Sequence, residues 1–128
     1  MMSAKKKVWG ITKRTLKMIM ECAKDSHPRE FAAGMRAMDG LISELILVPG
    51  TISGNTSALL RLHHLPIDYT MVGIVHSHPS SNTSPSERDL NMFARYGRVH
   101  IIAGWPYDER SWSVYDHGGN RMSLEVVP

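Results

Sequence analysis

At 128 residues, with 42% hydrophobic and 21% charged side chains, the chain has the size and composition of one compact folding domain and not of a disordered polymer. Its longest apolar runs are far below the roughly 18 residues of a membrane helix, and no apolar stretch of about 7 to 15 residues follows Lys5, Lys6 and Lys7, so a cytoplasmic protein without a leader is expected. A single cysteine, Cys22, excludes an internal disulfide and any zinc site built on two or more thiolates; a buried structural thiol is expected. The net charge of +3 is uneven, because seven of the fifteen basic residues fall within the first 24 positions, where Glu21 is the one acid. A solvated helix face and a disordered basic terminus over residues 1–7 account for them. Without the aromatic and basic interleaving of a nucleic-acid reader, nucleic acid is not an expected partner.

Residues 8–11 read as a short strand, and Thr12 is placed to cap a helix whose apolar positions Leu16, Ile19, Met20 and Ala23 have helical spacing. Pro28 biases His27 away from helical angles, so this helix should stop near Ser26. Residues 30–38 and 41–48 read as two strands joined by the tight turn Asp39-Gly40. After the Pro49-Gly50 break, residues 55–62 read as a further strand, and the Val, Gly and Ile run over 71–76 reads as a buried one.

Residues 77–84 are polar, contain Pro79 and read as a loop. Ser84-Pro85-Ser86-Glu87 then offers a cap, a proline at the first helical position and an acid closing a capping box, which predicts a helix over 85–96. Three late strands, at 99–103, 111–115 and 121–127, are separated by turns at 106–110 and 117–120. One domain over 1–128 is expected, a mixed curved sheet with two helices packed on it, α/β in the broad sense.

The segment that carries chemistry is His76-Ser77-His78-Pro79, with ten residues separating His78 from Asp89 and Pro85-Ser86 lying between. Histidines at i and i+2 in extended backbone project to one face, where they can share an ion. Asp89 lies one turn into the capped helix, on the face that also carries Ser86. Two imidazoles and a carboxylate are a donor set that zinc accepts in catalytic sites, three protein ligands leaving the fourth position open. His27, His63, His64, His100 and His117 have no comparable spacing and are assigned no role.

These residues resemble the signature of the JAMM, or MPN-plus, metalloisopeptidases: His-x-His, ten residues, then Asp, with Pro-Ser three before it. The order of strands and helices is similar over nearly the whole chain. The resemblance implies an MPN, cytidine-deaminase-like α+β fold, one zinc ion per chain with a catalytic water, and cleavage of isopeptide or peptide bonds after ubiquitin-like small modifier proteins. It also implies an upstream glutamate. Spacing alone leaves Glu21, Glu30 and Glu44 open; the resemblance points to Glu30, just after the first helix in His27-Pro28-Arg29-Glu30-Phe31. At the edge of the apolar run 31–35, its carboxylate could be partly desolvated and act as the general base. By the same implication Ser86 would donate to the oxyanion of the tetrahedral intermediate, while Ser77 and Pro79 shape the loop.

Other readings share parts of this pattern. A peptidase that trims a sulfur-carrier protein would have the same site and differ only in substrate. Non-haem iron proteins also use two histidines and a carboxylate, but place the carboxylate beside the first histidine. A non-catalytic scaffold would be expected to lack ligands that are all present here. An amidohydrolase barrel needs about twice this length.

Overall fold

A computed structural model of the chain describes residues 7–47 and 70–128. Strand β1 (Gly10–Thr12) leads into helix α1 (Lys13–Ser26), which starts where Thr12 accepts a hydrogen bond from the Thr15 N–H at 3.1 Å. Leu16, Ile19, Met20 and Ala23 form its buried face, as the spacing predicts. Burying each of the three larger side chains stabilises by about 1.5 to 3 kcal/mol, well above what intrinsic helix propensity supplies. The helix ends at His27, ahead of Pro28.

Strands β2 (Ala32–Met38) and β3 (Leu41–Ile46) form the expected hairpin, with Asp39 and Gly40 both left-handed at φ 53° and 81°, as a two-residue turn requires. Strand β4 (Met71–His78) runs antiparallel to β2, and helix α2 (Glu87–Arg95) links it to the parallel strand β5 (His100–Gly104). Next come β6 (Trp112–Tyr115), antiparallel to β5, then β7 (Arg121–Met122) and β8 (Glu125–Val127). Among the described residues these strands make one mixed sheet in the order β7-β6-β5-β4-β2-β3-β1-β8. Both faces are covered. Leu16, Ile19, Phe31, Val75 and Ile101 belong to the core beneath α1, whereas Ile74, Met92, Phe93 and Ile102 belong to that beneath α2.

Several boundaries differ from the sequence reading. The late strand over 121–127 is two strands at opposite edges of the sheet: β7 pairs with β6, and β8 runs parallel to β1. Only Ser123 and Leu124 join them, and three Cα steps span at most about 11 Å, so the sheet curls until its edges nearly meet. β4 runs two residues further than predicted, carrying Ser77 and His78 into the ladder beside Ala103 and Gly104. Glu30 does not open β2 but precedes it by two residues. The second helix begins after Ser86, not Ser84. Cys22 is half-buried against the α1 core, its thiol pushed up by burial and then by Asp25 and Glu21. The strand expected at 55–62, and His63 and His64, lie outside the described residues. No helix among the described residues is long and apolar enough to cross a membrane.

Candidate metal centre

Strand alternation puts His76 and His78 on the α2 side of the sheet, on the same face as Ile74, with ring centroids 5.1 Å apart. His76 is fully buried and packs near Phe93 of α2. Asp89, also buried, projects from the first turn of α2 toward both rings: Oδ1 lies 3.0 Å from His76 Nε2 and Oδ2 lies 3.1 Å from His78 Nε2. One donor atom from each of the three residues falls within 4.8 Å of the others.

The start of α2 explains how Asp89 is aimed. Ser86 is the N-cap, its Oγ accepting the Asp89 N–H at 3.1 Å while its own N–H donates to Asp89 Oδ2 at 2.9 Å. The capping box is therefore Ser86 with Asp89, displacing the predicted Ser84 with Glu87. Ser84 is held before the helix, where its N–H donates to Asn82 Oδ1 at 2.9 Å. Ser86 is exposed and its O–H proton is not needed for the cap.

The loop before Ser86 is tied to the strands beneath it. His78 Nδ1–H donates to the Asn82 carbonyl at 2.8 Å, which leaves Nε2 as the nitrogen facing Asp89. Trp105 N–H donates to Ser80 O at 2.9 Å, and Tyr115 O–H to Thr83 O at 2.7 Å. Gly104 lets this loop lie down on β5, since a Cβ there would meet the Thr83 methyl at 2.7 Å.

Burial alone would raise the Asp89 carboxyl, but His76, His78 and the Ser86 N–H outweigh it and hold the group well below the usual carboxylate range. Asp89 in turn raises His78 against the opposing effect of burial. His76 is the telling residue. Both its nitrogens are buried without a hydrogen bond, and although Nε2 is 3.0 Å from Asp89 Oδ1, the contact is not aligned as one. Each such atom costs about 1 to 3 kcal/mol unless something else satisfies it. A cation shared by His76, His78 and Asp89 would do so for Nε2, and this nitrogen and oxygen donor set fits zinc.

Of the three candidate glutamates, Glu21 is exposed on α1 and 3.6 Å from Lys24, and Glu44 is exposed on β3 and 3.4 Å from Arg36. Glu30 is half-buried with Oε1 unpartnered, and its charge reaches both His78 and the Tyr107 phenol. The main chain next to it is tied to β4 twice, Phe31 N–H donating to Ser77 Oγ at 2.8 Å and Ser77 N–H to Phe31 O at 2.9 Å. Ser77 thus holds the strand beside Glu30 and does not merely shape a loop. Two histidines without a predicted role also have partners. His100 is a core group, its Nδ1 accepting from Ile74 N–H and its Nε2–H donating to Gly97 O. His27 touches Tyr107, a residue that the sequence reading passed over.

Solved structures share this fold, and one of them is described by a zinc site. The chain is 38% identical to a structure described as JAMM, a metalloprotease-like zinc site in the proteasome and signalosome, with TM-score 0.77 over 94% of this chain and 99% of that one. It is likewise 38% identical to a JAB1/MPN domain protein from Archaeoglobus fulgidus, with TM-score 0.75 over 94% and 97% of the two chains. The fold and site together define the JAMM class, metalloprotease-like proteins with a zinc site on a curled mixed sheet. Residues 12–115 match the model of the prokaryotic homologues of the JAB domain, and the chain belongs to that family. A relative named a probable metalloprotease, from Haloferax volcanii, is 34% identical over 132 residues, covering 95% of this chain and 81% of that protein.

Proposed function

We propose that the chain is a zinc-dependent hydrolase of isopeptide or peptide bonds that follow the C-terminus of ubiquitin-like small modifier proteins, acting in the cytoplasm. The observation that carries the hydrolase reading is the convergence of buried, unbonded His76 with His78 and Asp89 beside the exposed Ser86 hydroxyl. The modifier substrate rests on the motif resemblance, and the Haloferax relative named a probable metalloprotease supports amide cleavage.

In this reading His76, His78 and Asp89 hold one zinc ion. Zinc bound there would supply Lewis acidity to a substrate carbonyl and acidify a water. Glu30 takes the proton from the attacking water on a carboxylate oxygen and later delivers it to the leaving amine. Ser86 keeps its oxygen on the Asp89 N–H and turns its proton outward, to the oxygen where negative charge develops. Core side chains around His76 exclude water from the inner side of the site.

The test is to assay purified protein against a panel of ubiquitin-like modifier conjugates and a sulfur-carrier fusion, with zinc counted in the same preparation. Glu30→Gln should keep about one zinc per chain and lose hydrolysis. Normal turnover by that variant would remove Glu30 from the mechanism, and hydrolysis surviving exhaustive chelation would overturn the metallohydrolase reading.

A further inference from the structure

Tyr107 belongs to no predicted motif, yet it joins the two segments that the chemistry needs close together. It is buried and held at φ 62°, a left-handed conformation that a bulky residue adopts only when its surroundings force it. Its N–H donates to Gly104 O at 2.8 Å, and Gly104 is the ladder neighbour of His78. Its hydroxyl donates to the His78 carbonyl at 2.9 Å. With that single proton committed, the 2.9 Å contact to His27 Nδ1 must be a hydrogen bond in which His27 donates and Tyr107 accepts. The imidazole and phenol also meet edge to face, with centroids 5.5 Å apart.

His27 stands three residues before Glu30, and Phe31 stands one after it. The phenol therefore ties the chain ahead of Glu30 to His78, while the Ser77 and Phe31 bonds tie the chain behind it to the same strand end. Between these ties lies a half-buried carboxylate whose Oε1 makes no hydrogen bond of its own. We propose that Tyr107, with His27 donating to its hydroxyl, is a positioning residue that fixes the Glu30 main chain relative to the metal-ligating end of β4. The proposal rests on the hydrolase reading for its effect on rate, but not for its effect on geometry.

The direct test is a pair of crystal structures, zinc-loaded wild type and zinc-loaded Tyr107→Phe. The ring is kept and both hydroxyl bonds are lost, so the Glu30 carboxylate should shift or split into several positions while His76, His78 and Asp89 stay in place. Zinc content and KM should be unchanged and kcat should fall about 10- to 100-fold, the scale of a misplacement near 1 Å. His27→Ala should give a smaller loss of the same kind. His27→Asn, whose amide N–H can stand where Nδ1–H stood, should recover most of it, which a purely structural role for His27 would not produce. Glu30 unmoved in Tyr107→Phe, with kcat within about twofold of wild type, overturns the proposal. Should Tyr107→Phe fail to fold, Glu30 is followed in the His27→Ala structure, and an undisturbed carboxylate there is equally fatal. A wild type that cleaves nothing in the panel, combined with a Glu30 that moves, supports the positioning role and overturns the hydrolase reading instead.

Discussion

Ser86 sits at two jobs that a substitution can separate. Ser86→Ala removes the oxygen that accepts the Asp89 N–H at 3.1 Å and the proton proposed to meet the oxyanion, while the main-chain bond from Ser86 N–H to Asp89 Oδ2 remains. Loss of an N-cap serine costs about 1 kcal/mol, within a range of about 0.5 to 2, which for a domain of this size lowers the thermal midpoint by about 3 to 5 °C. Loss of an oxyanion donor costs about 2.7 to 4 kcal/mol of transition-state stabilisation, or about 10² to 10³ in kcat. The second effect exceeds the first and appears in a different measurement. Ser86→Gly sharpens the separation, because glycine caps a helix within a few tenths of a kcal/mol of serine yet carries no hydroxyl. We expect the glycine variant to melt near wild type, hold zinc, and lose kcat as heavily as the alanine variant with KM little changed. A glycine variant with kcat within about threefold of wild type would assign Ser86 to the helix alone.

Three further outcomes follow from the same geometry. His76→Ala or Asp89→Ala should lose the zinc that wild type retains through dialysis, since two donors make too weak a site; equal metal content by elemental analysis would refute the ligand set. Ser77→Ala leaves the Phe31 N–H buried without its side-chain acceptor and should cost about 1 to 3 kcal/mol in denaturant unfolding, against no measurable change if that bond is dispensable. His100 is kept neutral by burial, with its pKa pushed down to about 4, so the folded state binds fewer protons than the unfolded chain between about pH 6.5 and 4. Its contribution, on the order of 3 kcal/mol, is complete above about pH 6.5 and is lost as pH falls toward 4; His100→Gln should flatten that slope, and an unchanged slope would show that the imidazole does not govern it.

The convergence of His76, His78 and Asp89 was legible because each part of it is a local pattern. A strand places i and i+2 on one face, and a capped helix start places an acid one turn in, whatever the rest of the chain does. That Glu30, and not Glu21 or Glu44, lies near the histidines follows from the antiparallel pairing of β2 with β4, which sets Ala32 opposite His76 and so brings the residues just before β2 to the end of β4. Spacing has no access to that pairing, which is why it leaves the three glutamates open and the resemblance alone points to Glu30. Tyr107 and His27 are 80 positions apart and meet only through the order of the folded strands, with β2 and β5 flanking β4. The split of 121–127 into β7 and β8 was hidden for a similar reason, because nothing in that short segment says that the two edges of the sheet lie within reach of each other.

The misplaced helix start teaches something different, because both readings obeyed the same rule. Ser84 with Glu87 and Ser86 with Asp89 are each a serine followed three residues later by an acid, and Pro85 favoured the first. The second prevails where tertiary structure intervenes: Asn82 holds the Ser84 N–H in a turn, and the Asp89 carboxylate is drawn to two histidines on the strand below. Oδ2 of Asp89 consequently accepts from Ser86 N–H and contacts His78 Nε2 at once. Helix start and proposed ligand set share an atom, so a change that shifts the first turn of α2 also shifts the candidate metal centre. For that reason zinc content belongs beside every rate and melting temperature measured on Ser86 variants.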